Sequence, residues 1–306
     1  MRIRRHGRPG DGRRAIAIGS FDGVHRGHAA IFARTRAAAE ERGLESAVLT
    51  FEPLPREYFA PAQAPARLTS IGERLVAIAA CRIESAYVQR FDAAFAALAP
   101  ADFEHRLAAL HGARWVMVGE DFRYGARRGG DCASLTAAGN RLGFEVEVLP
   151  EVRDGEERIS STAVREALAR ADFATAERML GRPYAICGRV VHGARRGRGL
   201  GFPTANVRLA RPRAALHGIF AVKCFGAATR GLEGVASLGI NPAVANGGPA
   251  TLEAFLFDFS GDLYGRRLTI EFRKRLRDEA HFASLEELAA QIKRDCDAAR
   301  EYFRTL

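Results

Sequence analysis

The stretch GSFDGVHRGH at 19–28 places His25 and His28 three residues apart, with Asp22, Gly23 and Gly27 around them. Residues at that spacing are neighbours on one face of a helical turn. A helix start also leaves backbone N–H groups without intrahelical partners, and these draw anions. Glycine at 23 and 27 lets main chain approach a ligand closely, and Asp22 can orient a group or a magnesium ion. Two imidazoles in this setting stabilise charge developing on a phosphate under attack, and no covalent nucleophile is then needed.

Two further stretches carry the same kind of chemistry. In RISSTAVR at 158–165, Ser160 or Ser161 can cap a helix, and capping alone explains the serines. Thr162 adds a hydroxyl, and with Arg158 and Arg165 the set also suits a triphosphate. In VVHGARRGRGLGFPTAN at 190–206 the glycines allow amides to turn toward phosphates. Thr204 and Asn206 offer hard oxygens of the sort magnesium takes together with ATP. An ordinary loop made basic by an arginine-rich composition accounts for these last residues equally well.

The elements that must hold these residues divide the chain in two. The first half alternates apolar runs at 15–18, 47–51, 86–90, 115–118 and 144–149 with alanine-rich amphipathic stretches near 27–42, 69–82, 100–111 and 131–142. Strands separated by helices of that length predict an α/β, doubly wound, Rossmann-like parallel sheet. Ligands of such sheets bind at the carboxyl ends of the strands, and His25 and His28 follow directly on the first run. After about residue 180 the rhythm changes. Gly181-Arg182-Pro183 breaks the chain, and runs at 185–192, 218–225, 232–238, 251–257 and 268–273 follow with little helix between them. They predict a small antiparallel β-barrel. Ser284, with Glu287 three residues on, predicts a capped closing helix whose apolar stripe is Leu285, Leu288, Ile292, Cys296, Ala299 and Phe303. Domains are therefore expected at 1–180 and 181–306.

Bulk composition narrows the partners. The net charge of the 306 residues is +10, yet lysine occurs only at Lys223, Lys274 and Lys293, and arginine runs along the whole chain. That distribution indicates a composition bias more than one binding face, so no nucleic-acid partner is expected. No apolar run approaches the roughly 18 residues of a membrane span. The basic first residues lead only into the short AIAIG, and a cytoplasmic protein without a membrane partner is expected. The five cysteines are scattered without a Cys-x-x-Cys, which predicts reduced thiols.

In order along the chain, GSFDGVHRGH, FEPLPREYF (51–59), VGEDFRYG (118–125) and RISSTAVREAL (158–168) resemble the FAD synthetase half of bacterial bifunctional riboflavin kinase/FAD synthetases, which are HxGH nucleotidyltransferases. The resemblance implies transfer of AMP from ATP to the phosphate of FMN with release of pyrophosphate. It assigns ATP to Phe21, Asp22, Gly23, His25, Gly27, His28, Ser161, Thr162 and Arg165, with the histidines on its phosphates. It places Asp121 in the lining of the FMN/ATP site; Phe122 and Tyr124 are expected either near the flavin or packed inside the domain, with packing the favoured of the two. GFPTAN, GIFAV (218–222), LEAFLFDFSGDLYGRRL (252–268) and LRDEAHFASLEEL (276–288) are similar to the riboflavin kinase domain. That similarity makes Glu253 the base for the ribityl 5′-hydroxyl of riboflavin as it attacks the γ-phosphate. It puts Gly201, Phe202, Pro203, Thr204 and Asn206 on ATP, Thr204 and Asn206 also on Mg2+, and Arg277 and Glu279 on the flavin side.

ATP is then co-substrate, and riboflavin, FMN and FAD are substrates and products of a monomer or weak homo-oligomer. Ala194 and Gly199 in the glycine loop, and Ile240 and Asn241 in GINPA, depart from the family pattern and are expected to alter affinity. Two other readings stand beside this one. An HxGH adenylyltransferase for another phosphorylated cofactor precursor leaves the barrel unexplained. A basic RNA-binding protein needs exposed stacking aromatics, whereas Phe255 and Phe257 sit within apolar alternation.

Overall fold

The computed structural model describes residues 1–5, 12–193, 201–211, 213–240 and 250–305. The chain packs as two compact units, one of Met1–Pro65 and Ile71–Ser160, the other of Ala66–Ser70 and Ser161–Leu306.

The first unit holds strands β1 (Arg2–Arg5), β2 (Arg14–Ile18), β3 (Glu45–Glu52), β4 (Ser85–Arg90), β5 (Ala113–Gly119) and β6 (Glu145–Leu149). They form a parallel sheet in the order β1-β4-β3-β2-β5-β6. Its helices are α1 (Arg26–Arg42), α2 (Pro55–Phe59), α3 (Ile71–Ala80), α4 (Ala93–Ala96), α5 (Pro100–His105), which runs on into a π turn over Arg106–Leu110, and α6 (Cys132–Leu142). A short hairpin, β7 (Arg153–Asp154) with β8 (Glu157–Arg158), ends it.

Alternate side chains of a strand point to opposite faces. In β2, Ile16 and Ile18 join one core with Leu49, Phe103, Val116 and Val118, while Ala15 and Ala17 join another with Phe32, Ile78, Trp115 and Met117. A strand covered on both faces must read as a continuous apolar run, and AIAI does. All five runs predicted in this half are strands. The edge strand β1 escaped prediction because Arg2-Ile3-Arg4-Arg5 has no apolar run to detect. Strand order reverses about β2, so the switch-point crevice opens where Gly19–His28 leaves the sheet.

The second unit begins with α7 (Ser161–Ala169) and α8 (Phe173–Leu180) and continues with β9 (Ala185–Val191), β10 (Ala205–Arg208), β11 (Gly218–Phe225), β12 (Leu232–Ile240), β13 (Ala250–Leu256), β14 (Arg267–Arg277) and α9 (Leu285–Arg304). The six strands close an antiparallel barrel in the order β10-β13-β12-β11-β14-β9. Buried Ala205, Ala254, Ala236 and Phe220 stand opposite one another across four strands. Ile219 and Val235, of the opposite parity, pack on Cys296 and Ala299 of α9. The Ser284 hydroxyl accepts from the Glu287 N–H at 3.2 Å, as a cap should. Glu287 reaches the Ala283 N–H instead of that of Ser284, and Leu285, expected in the apolar stripe, is 59% exposed, while Ile292, Cys296, Ala299 and Phe303 pack as expected. Packing thus divides the chain after Ser160, with α7 and α8 grouped with the barrel.

All five cysteines are free. Burial pushes the Cys224 thiol up to about 12 and that of Cys296 up to about 11. Since the thiolate is the reactive form, both are expected to resist alkylation near pH 8 in the native protein and to react on unfolding. Mass spectrometry of protein alkylated with and without urea measures this.

Candidate active sites

In the first unit the chain leaves β2 through a turn in which Phe21, Gly23 and Val24 have φ of 49°, 84° and 44°. Left-handed backbone suits glycine but strains Phe and, more so, β-branched Val. The turn delivers His25 to the N-cap of α1, where its Nδ1 accepts from the His28 N–H at 3.4 Å. The two imidazoles stack with centroids 3.6 Å apart, and Phe21 meets His28 edge-on at 5.2 Å. A Cβ on Gly27 would come within 3.1 Å of the His25 ring, so glycine keeps that ring in place. Asp22 and His25 are buried, and no acidic residue occupies the first turn of α1 to compete for an anion.

Neighbouring groups gather at the same end of the sheet. Asp121 follows β5, the parallel neighbour of β2, and its carboxylate is 84% exposed and 3.8 Å from Arg158. Arg158 is held in turn by Glu151 at 2.7 Å. The β7–β8 hairpin lies by the start of α1: Arg26 pairs with Asp154 at 3.4 Å, and the Ile159 carbonyl is 3.5 Å from where a Gly27 Cβ would stand. Tyr124 is buried, donating to Glu104 at 2.6 Å, and burial followed by that bond raises its phenol well above the usual range. Sequence reasoning missed Phe59, which is 66% exposed and stands edge-on to Tyr58 at 5.2 Å and to Phe91 at 5.5 Å. Its signal was an aromatic ending a short helix just beyond the carboxyl end of a strand.

Ser161, Thr162 and Arg165 lie on the first two turns of α7, in the second unit. Arg165 Nε donates to the Ala66 carbonyl at 2.5 Å, tying Ala66–Ser70 to that unit together with Arg211, which donates to the Leu68 carbonyl at 2.7 Å.

On the barrel, Asn206 and Glu253 are directly opposed on β10 and β13. Their neighbours Ala205, Val207, Leu252 and Ala254 are buried, which turns Asn206 and Glu253 to the outer face. Thr204 donates its hydroxyl to Glu253 Oε2 at 3.1 Å. Asn206 lies against Gly193, where a Cβ would fall 2.3 Å from its carboxamide carbon. Gly201 has a φ of 83°, and Phe202, just before Pro203, packs edge-on to Phe255 at 5.5 Å. Ser237 flanks Glu253 on β12 and lies 3.5 Å from Glu279, whose carboxylate sits directly over Gly239. Arg277 grips Asp295 of α9 through Nε at 2.9 Å and Nη2 at 2.8 Å, a forked ion pair. The structure thus brings Thr204, Asn206 and Glu253 together and places Arg277 at the end of β14 and Glu279 just beyond it. Ala194, Gly199, Asn241 and the side chain of Ile240 lie outside the described residues.

A family model for FAD synthetase matches residues 8–163, and one for riboflavin kinase matches residues 180–303. A bifunctional riboflavin kinase/FMN adenylyltransferase of Escherichia coli strain K12 is 46% identical over 289 residues, 94% of this chain and 92% of that protein. The chain belongs to the bifunctional riboflavin kinase/FMN adenylyltransferase family. Its counterpart in Haemophilus influenzae is 41% identical over 95% of this chain and 94% of its own length. Among crystal structures, a macrolide-efflux protein from Streptococcus pneumoniae matches with a TM-score of 0.79 and 28% identity, covering 98% of this chain and 99% of that one. Among the described residues no helix is long and apolar enough to cross a membrane. In this member of the bifunctional family the two matched segments leave most of α7 and α8 between them.

Proposed function

We propose that this chain phosphorylates riboflavin to FMN and adenylylates FMN to FAD, each with ATP, the second reaction using residues 1–180 and the first residues 181–306. The observation that carries this reading is a separate phosphate-handling set on each frame: the stacked His25–His28 pair at the switch point, and Glu253 with Thr204 and Asn206 on the barrel.

In adenylyl transfer a phosphate oxygen of FMN attacks the α-phosphorus of ATP, and the bond to the β-phosphate breaks to release pyrophosphate. His25 and His28, beside the N–H groups that open α1, hold the phosphate oxygens on which charge grows. Phe21, Asp22, Gly23 and Gly27 shape the cradle, and Asp121 lines it. The sequence motif assigns Ser161, Thr162 and Arg165 to the triphosphate. The exposed face of Phe59, past the carboxyl ends of β3 and β4, offers an apolar surface for a flavin ring. Replacing Gly27 with alanine is expected to slow FAD formation by about tenfold or more, because the new methyl displaces the His25 ring. Steady-state rates with FMN and ATP measure it, and riboflavin phosphorylation is expected to stay unchanged.

In phosphorylation the ribityl 5′-oxygen attacks the γ-phosphorus, its proton passes to Glu253, and ADP leaves. Gly201, Phe202 and Pro203 lead the chain past the nucleotide into Thr204 and Asn206. Those two oxygens, beside the Glu253 carboxylate, form the hard-oxygen donor set that suits Mg2+, which keeps waters and takes few protein ligands. Bound with ATP, Mg2+ neutralises charge on the phosphates. Arg277, locked on Asp295, and Glu279, over Gly239, bound the flavin side. The enzyme works in the cytoplasm as a monomer or weak homo-oligomer, without nucleic acid or membrane. Incubating it with riboflavin, ATP and Mg2+ and separating the flavins by chromatography tests the whole reading: FMN and then FAD are expected, and retention of RNA without ATP turnover contradicts it.

A further inference from the structure

Arg74 belongs to none of the motifs above, yet its side chain is only 1% exposed on α3. Burying a guanidinium is costly unless its donors are partnered. Arg74 Nη1 donates to the Ser20 carbonyl at 2.6 Å, while Nη2 donates to the Phe51 carbonyl at 3.2 Å and to Glu52 at 2.7 Å. Thr50 gives the same Ser20 carbonyl a second donor at 3.3 Å. One fork therefore ties the loop after β2 to the chain at the end of β3.

We infer that Arg74 is a positioning residue for adenylyl transfer, holding the Ser20 carbonyl and through it the turn that aims His25 and His28. Three residues of four in that turn are left-handed, two of them Phe21 and Val24, so the turn persists only where its surroundings fix it. The Ser20 carbonyl belongs to the peptide that leads into Phe21. The Phe21 ring contacts Phe32 at 4.8 Å and stands edge-on to His28 at 5.2 Å. Rotating that peptide swings the ring on which the imidazole rests. Lysine carries the charge but not the planar fork, and cannot serve Ser20, Phe51 and Glu52 at once.

The inference rests on the adenylyl-transfer reading, and both are tested on the full chain with Arg74→Lys and Thr50→Val. For Arg74→Lys, kcat for FMN adenylylation is expected to fall roughly 10²-fold, the effect of a displacement of about 1 Å, with KM for ATP and FMN within about threefold. Riboflavin phosphorylation by the same preparation is expected to hold its wild-type rate, which confirms intact protein. Thr50→Val, which keeps the shape but removes a donor to the Ser20 carbonyl and an acceptor of Arg74 Nη1 at 3.4 Å, is expected to lose about threefold to tenfold in the same kcat. Wild-type kcat in Arg74→Lys overturns the inference, as does a change confined to KM or a fall of both activities in step. Should Arg74→Lys fail to fold, an unchanged kcat in Thr50→Val overturns it. A wild-type chain that makes no FAD overturns the functional reading itself.

Discussion

Replacing Glu253 with glutamine is expected to slow riboflavin phosphorylation by roughly 10²- to 10³-fold while the same preparation converts added FMN to FAD at the wild-type rate. Glutamine keeps the shape of the side chain, and its carbonyl oxygen still accepts from Thr204, now 3.1 Å from the carboxylate. What it cannot do is take the proton of the 5′-hydroxyl, and Asn206, directly opposite, cannot take it either. A larger loss is not expected, because the loose transition state of phosphoryl transfer draws more on positioning and charge neutralisation than on the base. Alanine is the poorer probe, since it also removes the hydroxyl's partner and loosens β13 against β10. Initial rates for each flavin, with a melting curve on the same sample, make the measurement. A parallel fall of both reactions in a folded variant contradicts the proposed division of labour between 1–180 and 181–306.

The frame was legible where burial imposes a local rhythm. Ala15–Ile18 is buried on both faces and reads as an unbroken apolar run, and the alternation of such runs with helices points to a parallel sheet with a ligand end. β10 was not legible. Its four residues, Ala205–Arg208, alternate inward and outward over too short a length to stand out from a loop, and only pairing with β9 and β13 makes them a strand. The HxGH set declared itself because a strand, two glycines and a helix start fall within ten residues. Glu253 did not: a lone glutamate in an alternating strand reads as a solvated side chain, and it took the resemblance to single it out. Arg74 was hidden for the same reason. An arginine in IGERLVAIAA reads as the wet face of a helix, and its burial is decided by loops more than 20 residues away. Contacts such as Arg165 to Ala66 or Arg277 to Asp295 have no local signature at all.

Removing the imidazole of His28 is expected to make FMN the end product, with FAD formation down by roughly 10²- to 10³-fold, the loss typical of deleting one donor to a developing oxyanion. Such a loss corresponds to about 3–4 kcal/mol of barrier. Competing structural effects are smaller. His28→Ala forfeits the stack on His25 and the edge contact with Phe21, about 1 kcal/mol apiece by the usual worth of aromatic pairs. That lowers the melting temperature slightly without emptying the folded state. His25→Ala is less clean, because its Nδ1 also serves as the N-cap of α1, so its deletion mixes a lost cap with a lost phosphate contact. His28 presents its N–H to that cap from the backbone, which alanine retains. The His28→Ala variant therefore separates chemistry from scaffold. FMN accumulates because Glu253, Thr204 and Asn206 belong to the barrel, and chromatography of the flavins over time reads the ratio directly. FAD formed at the wild-type rate by this variant would place the phosphate chemistry away from the histidine pair.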